Sequence, residues 1–145
     1  MSETSNMLYR AHHESQEKYT YYLLGLTAVG ICFIIVNNQS ISINLSYIPL
    51  GLSVVLLSVS FLCGLRHLEY VDSIMYSNID LIKVQEVWKS TSQINPLVVK
   101  TFVDGIKEAM EKNSKKAQGF SRWQSRTMIL GMLVYFSFYV IKAVP

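Results

Sequence analysis

Histidines are the residues of this sequence best suited to metal binding or proton transfer, and their spacing gives little support to either role. His12 and His13 are adjacent, so on a helix they point about 100° apart and cannot easily share a metal ion. His13 and Glu17 are four apart and could share one, but a closed zinc site takes four ligands. His67 follows Arg66 and fits a pH sensor, a ligand for lipid phosphate or an interfacial polar residue. We therefore predict no metal site.

Nucleophilic and phosphate-binding motifs are absent from the sequence. It contains no Gly-x-Ser-x-Gly pattern, and its seven glycines are scattered. Cys32 and Cys63 both lie in apolar stretches, where cysteine serves more often as a small apolar residue than as a reactive one. The basic residues are interleaved with acidic ones, which is not typical of a nucleic-acid-binding surface. We predict no enzymatic activity, no cofactor and no nucleic-acid partner.

Charged residues are missing from the long stretch between Lys18 and Arg66. A transmembrane helix needs about 20 apolar residues, so this stretch has room for two helices and a short turn. The first predicted span, residues 19–36, has three tyrosines among its first four residues, as an aromatic belt would. The uncharged loop 37–46 leads to the second span, residues 47–65. The sequence therefore predicts a transmembrane helical hairpin over residues 19–65.

Residues 66–126 hold ten of the thirteen Lys and Arg residues and form the predicted soluble segment. Apolar residues recur there at steps of three and four, which predicts an amphipathic helix that continues from the second span. The pair Asn95–Pro96 predicts a turn and the start of a second helix. We predict an antiparallel helical stalk whose apolar faces cover each other or meet other subunits. Those faces comprise Leu68, Val71, Met75, Ile79 and Ile82 on the first helix, and Val99, Phe102 and Ile106 on the second.

A third transmembrane helix is predicted over residues 127–145. Its uncharged core, Thr127–Ile141, is only about 22 Å long, so Lys142 must reach the far interface with its long side chain. A helix lying in the membrane plane is the alternative, but such a helix keeps one polar face and this segment is apolar all round. Basic and aromatic residues typical of a membrane interface flank the spans: Arg66, His67, Lys115, Lys116, Arg122, Trp123 and Arg126.

The basic residues also predict the orientation. Twelve of the thirteen lie in residues 1–18 and 66–126, whereas the hairpin loop has none and the C-terminal end has only Lys142. By the positive-inside rule, the N-terminal tail and the 66–126 segment are cytoplasmic and the C-terminus is periplasmic. The predicted fold class is thus all-α, an integral membrane protein of the bacterial inner membrane with three spans and a cytoplasmic antiparallel helical stalk.

Small residues and hydroxyl-bearing residues are the features of interest within the predicted spans. Ala28 and Cys32 lie four apart on the first span, and Ser60 and Gly64 lie four apart on the second. Such faces let helices approach closely, either within one chain or between copies. The hydroxyls of Thr27, Ser53, Ser58 and Ser60 could together line an oligomeric pore, while the absence of charge from the middle of the first two spans argues against a proton-coupled transporter.

The order of these parts resembles the SLATT-type membrane effectors of bacterial conflict and antiphage systems. The residues that carry the resemblance are the tyrosine-rich start Tyr19–Leu24, the uncharged hairpin and the exit Leu65–Tyr70. The stretches Glu111–Ser114 and Trp123–Gln124 are similar to those of small bacterial inner-membrane proteins. The resemblance implies a tight hairpin whose second helix runs into a cytoplasmic amphipathic helix, and a role in antiphage defence. The third span departs from the two-span pattern of that class.

Two functions follow as hypotheses. The first is a non-enzymatic, homo-oligomeric inner-membrane protein that perturbs or permeates the bilayer under control of its cytoplasmic helices. The second is a membrane anchor whose cytoplasmic helices dock a soluble protein partner. Lipid is the expected partner in both.

Overall fold

The computed structural model describes residues 3–38, 47–90 and 95–143. Within these ranges the chain forms three α-helices and no β-strand: α1 (Glu3–Asn37), α2 (Ile48–Ser90) and α3 (Pro96–Ala143). The all-α fold class is therefore confirmed. Most of the predicted hairpin loop 37–46 lies outside the described residues, as do residues 91–94 just before the Asn95–Pro96 pair.

Helix α2 is uninterrupted over 43 residues, with Pro49 in its first turn. Proline is tolerated there because the first N–H groups of a helix have no partner within it. Neither glycine nor proline occurs in α2 after Gly64. The prediction that the second apolar stretch continues without a break into the amphipathic helix is confirmed.

Helix α3 begins where the Asn95–Pro96 pair predicts. The Asn95 side-chain oxygen Oδ1 accepts a hydrogen bond of 3.0 Å from the Leu97 amide, and its backbone carbonyl accepts from Val98 and Val99. Asparagine is a favoured N-cap and proline fits the first helical position.

The length of α3 was not anticipated from the sequence. It continues for 48 residues to Ala143 and passes through both Gly105 and Gly119, whereas the sequence placed a boundary at Thr127. Each glycine costs about 1 kcal/mol in a helix interior, a cost that the good helix formers around them offset. Likewise α1 begins at Glu3, well before the predicted first span at Tyr19.

The chain divides into two compact units. The three-helix unit comprises Met1–Leu65 and Phe120–Pro145, and the two-helix unit comprises Arg66–Gly119. The three-helix unit therefore contains all of α1, the start of α2 and the end of α3, and the two-helix unit contains the end of α2 and the start of α3.

Helices of the three-helix unit pack with buried residues at steps of three and four, as in coiled coils and helical bundles. Its apolar core consists of Ile34, Leu50, Leu57, Tyr135 and Phe138. A side chain at Gly131 would place its Cβ only 3.0 Å from the Cγ atom of Leu57, so glycine allows α2 and α3 to approach closely there.

Two helices are long and apolar enough to cross a membrane. The qualifying segments are Glu17–Asn37 in α1 and Ile48–Trp88 in α2, and in each only 28% of the most apolar window is buried. A core helix of a soluble protein would be mostly buried instead. The third span over residues 127–145 stays a prediction.

Candidate functional site

The interior of the three-helix unit contains a line of buried polar side chains, which we call the polar seam. Five of the six largest fully buried side chains of the described residues are polar, and all five lie in this unit. The sequence had marked three of them as hydroxyls at membrane depth. The five are Thr20, Thr27, Ser53, Ser60 and Gln124.

Serine hydroxyls join α2 to α3 along the polar seam. Ser53 Oγ donates a hydrogen bond of 2.8 Å to the Gly131 carbonyl oxygen, and Ser60 Oγ donates one of 2.8 Å to the Gln124 carbonyl oxygen. The two donors are seven residues apart on α2, and the two carbonyls are seven residues apart on α3 in the opposite order. These bonds fix an antiparallel register with heptad spacing.

Two buried hydroxyls of the unit, those of Thr27 and Thr127, bond within their own helices. Thr27 Oγ1 donates to the Leu23 carbonyl, and Thr127 Oγ1 donates to the carbonyls of Trp123 and Gln124. These four buried hydroxyls, of Ser53, Ser60, Thr27 and Thr127, are therefore satisfied by backbone carbonyls, which offsets the cost of placing them in an apolar interior.

Gln124 is the exception. Its side chain is fully buried, and neither Nε2 nor Oε1 has a hydrogen-bond partner among the described residues. A Cβ atom at Gly64 would lie 2.5 Å from Gln124 Nε2 and 2.7 Å from Leu24 Cδ2, so the carboxamide is held tightly between α1 and α2. An unsatisfied buried polar group costs about 1–3 kcal/mol. Gln124 is therefore a buried side chain whose desolvation no hydrogen bond from the described residues offsets.

Sequence analysis did not identify Gln124 as a site residue. It lies between Arg122 and Arg126 and just before the predicted third span, which suggested a hydrated interface. The signal that could have revealed it is its spacing from Thr127 and Gly131, at steps of three and four that continue along one face of α3.

The predicted small-residue faces are placed as follows. Ser60 and Gly64 both lie buried in the three-helix unit, where they pack against Gln124. On α1, Ala28 is half-buried and Cys32 is exposed. A Cβ at Gly30 would lie 3.4 Å from the side chain of Met132, so Gly30 rather than Cys32 is a residue of close approach on α1.

The outer surface of the three-helix unit is apolar. Large hydrophobic side chains more than half exposed occur on all three of its helices. They include Val29, Phe33, Ile35 and Val36 on α1, Val55 and Leu62 on α2, and Ile129, Leu133, Phe136, Val140 and Ile141 on α3.

A second set of polar contacts lies in the two-helix unit. His67 is buried, and its Nδ1 atom is 2.8 Å from the Ala117 carbonyl oxygen. Because a carbonyl oxygen only accepts, Nδ1 must donate this hydrogen bond. Asn113 Nδ2 donates a bond of 3.1 Å to Ser73 Oγ, and Lys116 Nζ lies 5.4 Å from the centre of the Tyr70 ring. These contacts join α2 to α3.

The predicted stalk faces occupy several environments. Val71 and Val99 are buried, and Leu68 and Ile106 are half-buried. The other four, Met75, Ile79, Ile82 and Phe102, are 46%, 45%, 50% and 56% exposed.

Two of the predicted interface residues, Arg66 and Lys115, form surface ion pairs with glutamates of their own helices. Arg66 Nη1 lies 2.7 Å from Glu69 Oε2, and this hydrogen bond raises the pKa of the Arg66 guanidinium. Lys115 Nζ lies 2.7 Å from Glu111 Oε1, which lowers the pKa of the Glu111 carboxyl and raises that of Lys115. The remaining interface residues, Arg122, Trp123 and Arg126, are exposed in the three-helix unit.

An open groove lies between α2 and α3 in the two-helix unit. It has a volume of about 940 Å³, and its walls are mostly apolar. A smaller apolar depression of about 300 Å³ shares Lys83, Val84, Val98 and Phe102 with it. The groove also exposes the charged side chains of Asp80 and Lys83.

Metal-binding clusters are not found in the described ranges 3–38, 47–90 and 95–143. Comparison of the chain with protein-family models, with curated proteins and with solved structures gives no match. The fold and its surfaces thus define an all-α protein with two helices apolar enough to span a membrane.

Proposed function

We propose that the three-helix unit is embedded in a bilayer, with α1, α2 and α3 each crossing it once. The observation that carries this proposal is the distribution of polarity in that unit, where serine, threonine and glutamine are buried beside a small apolar core and many large apolar side chains face outward. Soluble proteins bury their large apolar residues, whereas membrane helices pack through small and hydroxyl-bearing residues and turn apolar ones toward lipid.

Energetics support the same placement. Apolar surface in water costs about 25 cal/mol per Å², and side chains such as Phe33, Leu133 and Phe136 leave much of their area outside the protein interior. Hydrocarbon removes that cost. It also requires that buried hydroxyls bond within the protein, as Ser53 and Ser60 do.

The third span is supported by the surroundings of Lys142. Its Nζ atom stands 5.8 Å from the centre of the Tyr47 ring, at the end of the unit where α2 begins and α3 ends. An aromatic ring at an interface favours a cation over its face, so the charge has a place at the far side of the membrane. The N-terminus and the two-helix unit are then cytoplasmic and the C-terminus periplasmic, in a bacterial inner membrane.

The proposed activity is non-enzymatic. Homo-oligomers of the protein perturb or permeate the bilayer, under control of the two-helix unit, as an effector of the SLATT type would. The polar seam supports this activity, because it supplies hydroxyls and one unsatisfied carboxamide that would face water if helices of several copies separated around a common axis. The effector role in antiphage defence rests on the sequence resemblance.

The test is dye release from liposomes that contain the purified full-length protein. Wild-type protein is expected to release an entrapped anionic dye. The variant Gln124→Leu, which removes the unsatisfied carboxamide and so favours the closed packing, is expected to release less. Gln118→Leu is the matched control, because Gln118 is exposed in the two-helix unit. Liposomes that retain their dye at every protein-to-lipid ratio would rule out permeation.

A second candidate function is a membrane anchor that docks a soluble protein. The apolar groove of the two-helix unit favours it, since large apolar side chains remain exposed there. Replacing the spans with unrelated ones separates the two functions. An anchor keeps its activity after this exchange, whereas a membrane-perturbing protein loses it.

A further inference from the structure

Two arginines of α3, Arg122 and Arg126, are exposed in the three-helix unit and lie about one helical turn apart on the same face. We propose that they bind the phosphate group of an anionic phospholipid in the cytoplasmic leaflet, with Trp123 beside them. This inference rests on the proposed placement of the three-helix unit in a bilayer, and it names the class of lipid that this face of α3 recognises.

Both arginines lie at the depth of the second predicted span. The two serine hydrogen bonds between α2 and α3 fix an antiparallel register within the three-helix unit. This register places Arg122 level with Leu62 and Arg126 level with Ser58. Ser58 precedes Leu65, the last residue of the predicted span, by seven positions, which is about 10 Å of helix. The arginines therefore lie below the level at which α2 leaves the apolar stretch.

The surroundings at this depth are apolar. Val59 and Leu62 of α2 are 41% and 59% exposed. The face of α3 that carries the arginines continues, at steps of three and four, with Ile129 and Leu133, which are 54% and 56% exposed. Polar groups line a water-filled pore, so an apolar face of this kind is turned toward lipid instead. Charged residues at such a depth normally have a partner of opposite charge.

The described part of the protein supplies no such partner. Within residues 3–38, 47–90 and 95–143, neither Arg122 nor Arg126 forms an ion pair. The sequence contains no Asp or Glu in residues 18–68 or in residues 112–145. Arginine keeps its charge in proteins. We therefore assign its counter-ion to the membrane, where phosphate is the abundant anion.

The direction of the side chains fits a lipid head group. Long side chains on a helix point back toward its N-terminus, and the N-terminal end of α3 faces the cytoplasm in the proposed topology. Both guanidinium groups can thus extend toward the head groups of the cytoplasmic leaflet. A guanidinium presents a planar fork that matches two oxygens of one phosphate.

Two further features favour an anionic phospholipid. Trp123 is 62% exposed, and tryptophan is enriched at the head-group level of membranes. The two unpaired positive charges also favour a head group with a net negative charge, such as phosphatidylglycerol, over the zwitterionic phosphatidylethanolamine.

Native mass spectrometry of the full-length protein, released from detergent, tests this preference with the two lipids in the same acyl-chain form. Wild-type protein is expected to bind phosphatidylglycerol more tightly than phosphatidylethanolamine. The double variant Arg122→Gln with Arg126→Gln is expected to bind phosphatidylglycerol about 25-fold more weakly, because each basic residue near a membrane surface contributes about fivefold.

The matched control is Lys100→Gln with Lys107→Gln. It removes the same charge from exposed positions of α3 in the two-helix unit and is expected to leave lipid binding unchanged. The conservative pair Arg122→Lys with Arg126→Lys keeps the charge and is expected to retain most of the preference for phosphatidylglycerol.

Equal affinity of the wild-type protein for both lipids, or equal losses in the two glutamine pairs, would overturn this assignment. The same holds if the lysine pair binds no better than Arg122→Gln with Arg126→Gln, or if millimolar inorganic phosphate displaces the lipid, which would identify a site for the free anion. Carbonate extraction tests the proposed placement separately. Release of wild-type protein into the soluble fraction would overturn that placement, whereas membrane-bound protein without a lipid preference would overturn the lipid site alone.

Discussion

Ser60 of α2 donates a hydrogen bond of 2.8 Å to the Gln124 carbonyl of α3, while the carboxamide of the same glutamine has no partner among the described residues. The backbone of Gln124 is therefore well bonded and its side chain is not. Buried polar groups in helical bundles are normally satisfied, and exceptions tend to mark functional or adaptable sites. The consequences of this arrangement can be measured.

Replacing Gln124 with leucine should stabilise the three-helix unit by about 1–3 kcal/mol, because it removes an unsatisfied buried carboxamide and introduces an apolar side chain of similar size. Equilibrium unfolding in mixed micelles with increasing SDS measures the change. Gln118→Leu, at an exposed position, should leave stability nearly unchanged. A less stable Gln124→Leu protein would mean that the carboxamide has a stabilising partner, such as buried water.

Substituting Gly64 with alanine should destabilise the same unit by about 1 kcal/mol or more, because the new Cβ would overlap the buried side chains of Gln124 and Leu24. Gly51→Ala is the matched control on the same helix, since apart from the surrounding turns of α2 itself nothing in the described residues lies within 4 Å of its Cβ position. Alanine favours helix, so Gly51→Ala should be neutral or slightly stabilising. Equal effects of the two substitutions in SDS unfolding would contradict the close packing at Gly64.

Sequence patterns predicted that the chain is helical, but not the full length of α1 and α3 or most of the faces that these helices bury. The uncharged stretch, Pro49 and the Asn95–Pro96 pair led correctly to an all-α fold, a long α2 and the start of α3. Hydrophobicity alone could not select the packed face, since apolar residues occur all round these segments. The packed face instead carries small and polar residues such as Ser53, Ser60 and Gln124, whose burial depends on the neighbouring helix.

The stalk illustrates the same limit. The apolar stripe of Met75, Ile79 and Ile82 fits a helical period, yet the side chains that connect α2 to α3 in this unit include His67, Ser73 and Asn113. Apolar residues at steps of three and four identify a helix but leave two adjacent faces as candidates for burial. The face that is buried here contains polar residues, so hydrophobicity did not reveal it.

Reporter fusions test the topology. Fusions after Glu17 and after Lys115 should report a cytoplasmic location, and fusions after Asn38 and after Pro145 a periplasmic one, because twelve of the thirteen basic residues lie in the two segments assigned to the cytoplasm. Paired alkaline phosphatase and green fluorescent protein fusions give complementary signals at each position. A cytoplasmic C-terminus would exclude the third span and favour a last helix in the membrane plane.

The tautomer of His67 is a further prediction. Because Nδ1 donates to the Ala117 carbonyl at 2.8 Å, neutral His67 should carry its proton on Nδ1, whereas free histidine prefers Nε2. Nitrogen-15 chemical shifts of the imidazole ring distinguish the two forms, and His67→Gln identifies the signal by its loss. An Nε2–H signal for neutral His67 would show that this hydrogen bond does not form.

Buried and exposed positions of the stalk should respond differently to a charge. Val71 is buried, so Val71→Asp would place a carboxylate in an apolar contact at a cost of several kcal/mol and unfold the two-helix unit. Ile79 is 45% exposed, so its aspartate can reach water and the unit should stay folded. Limited proteolysis of residues 66–119 in the full-length protein measures folding, and carbonate extraction verifies membrane insertion. If Ile79→Asp makes residues 66–119 as sensitive to protease as Val71→Asp does, then Ile79 must be covered by another part of the protein or by a second molecule.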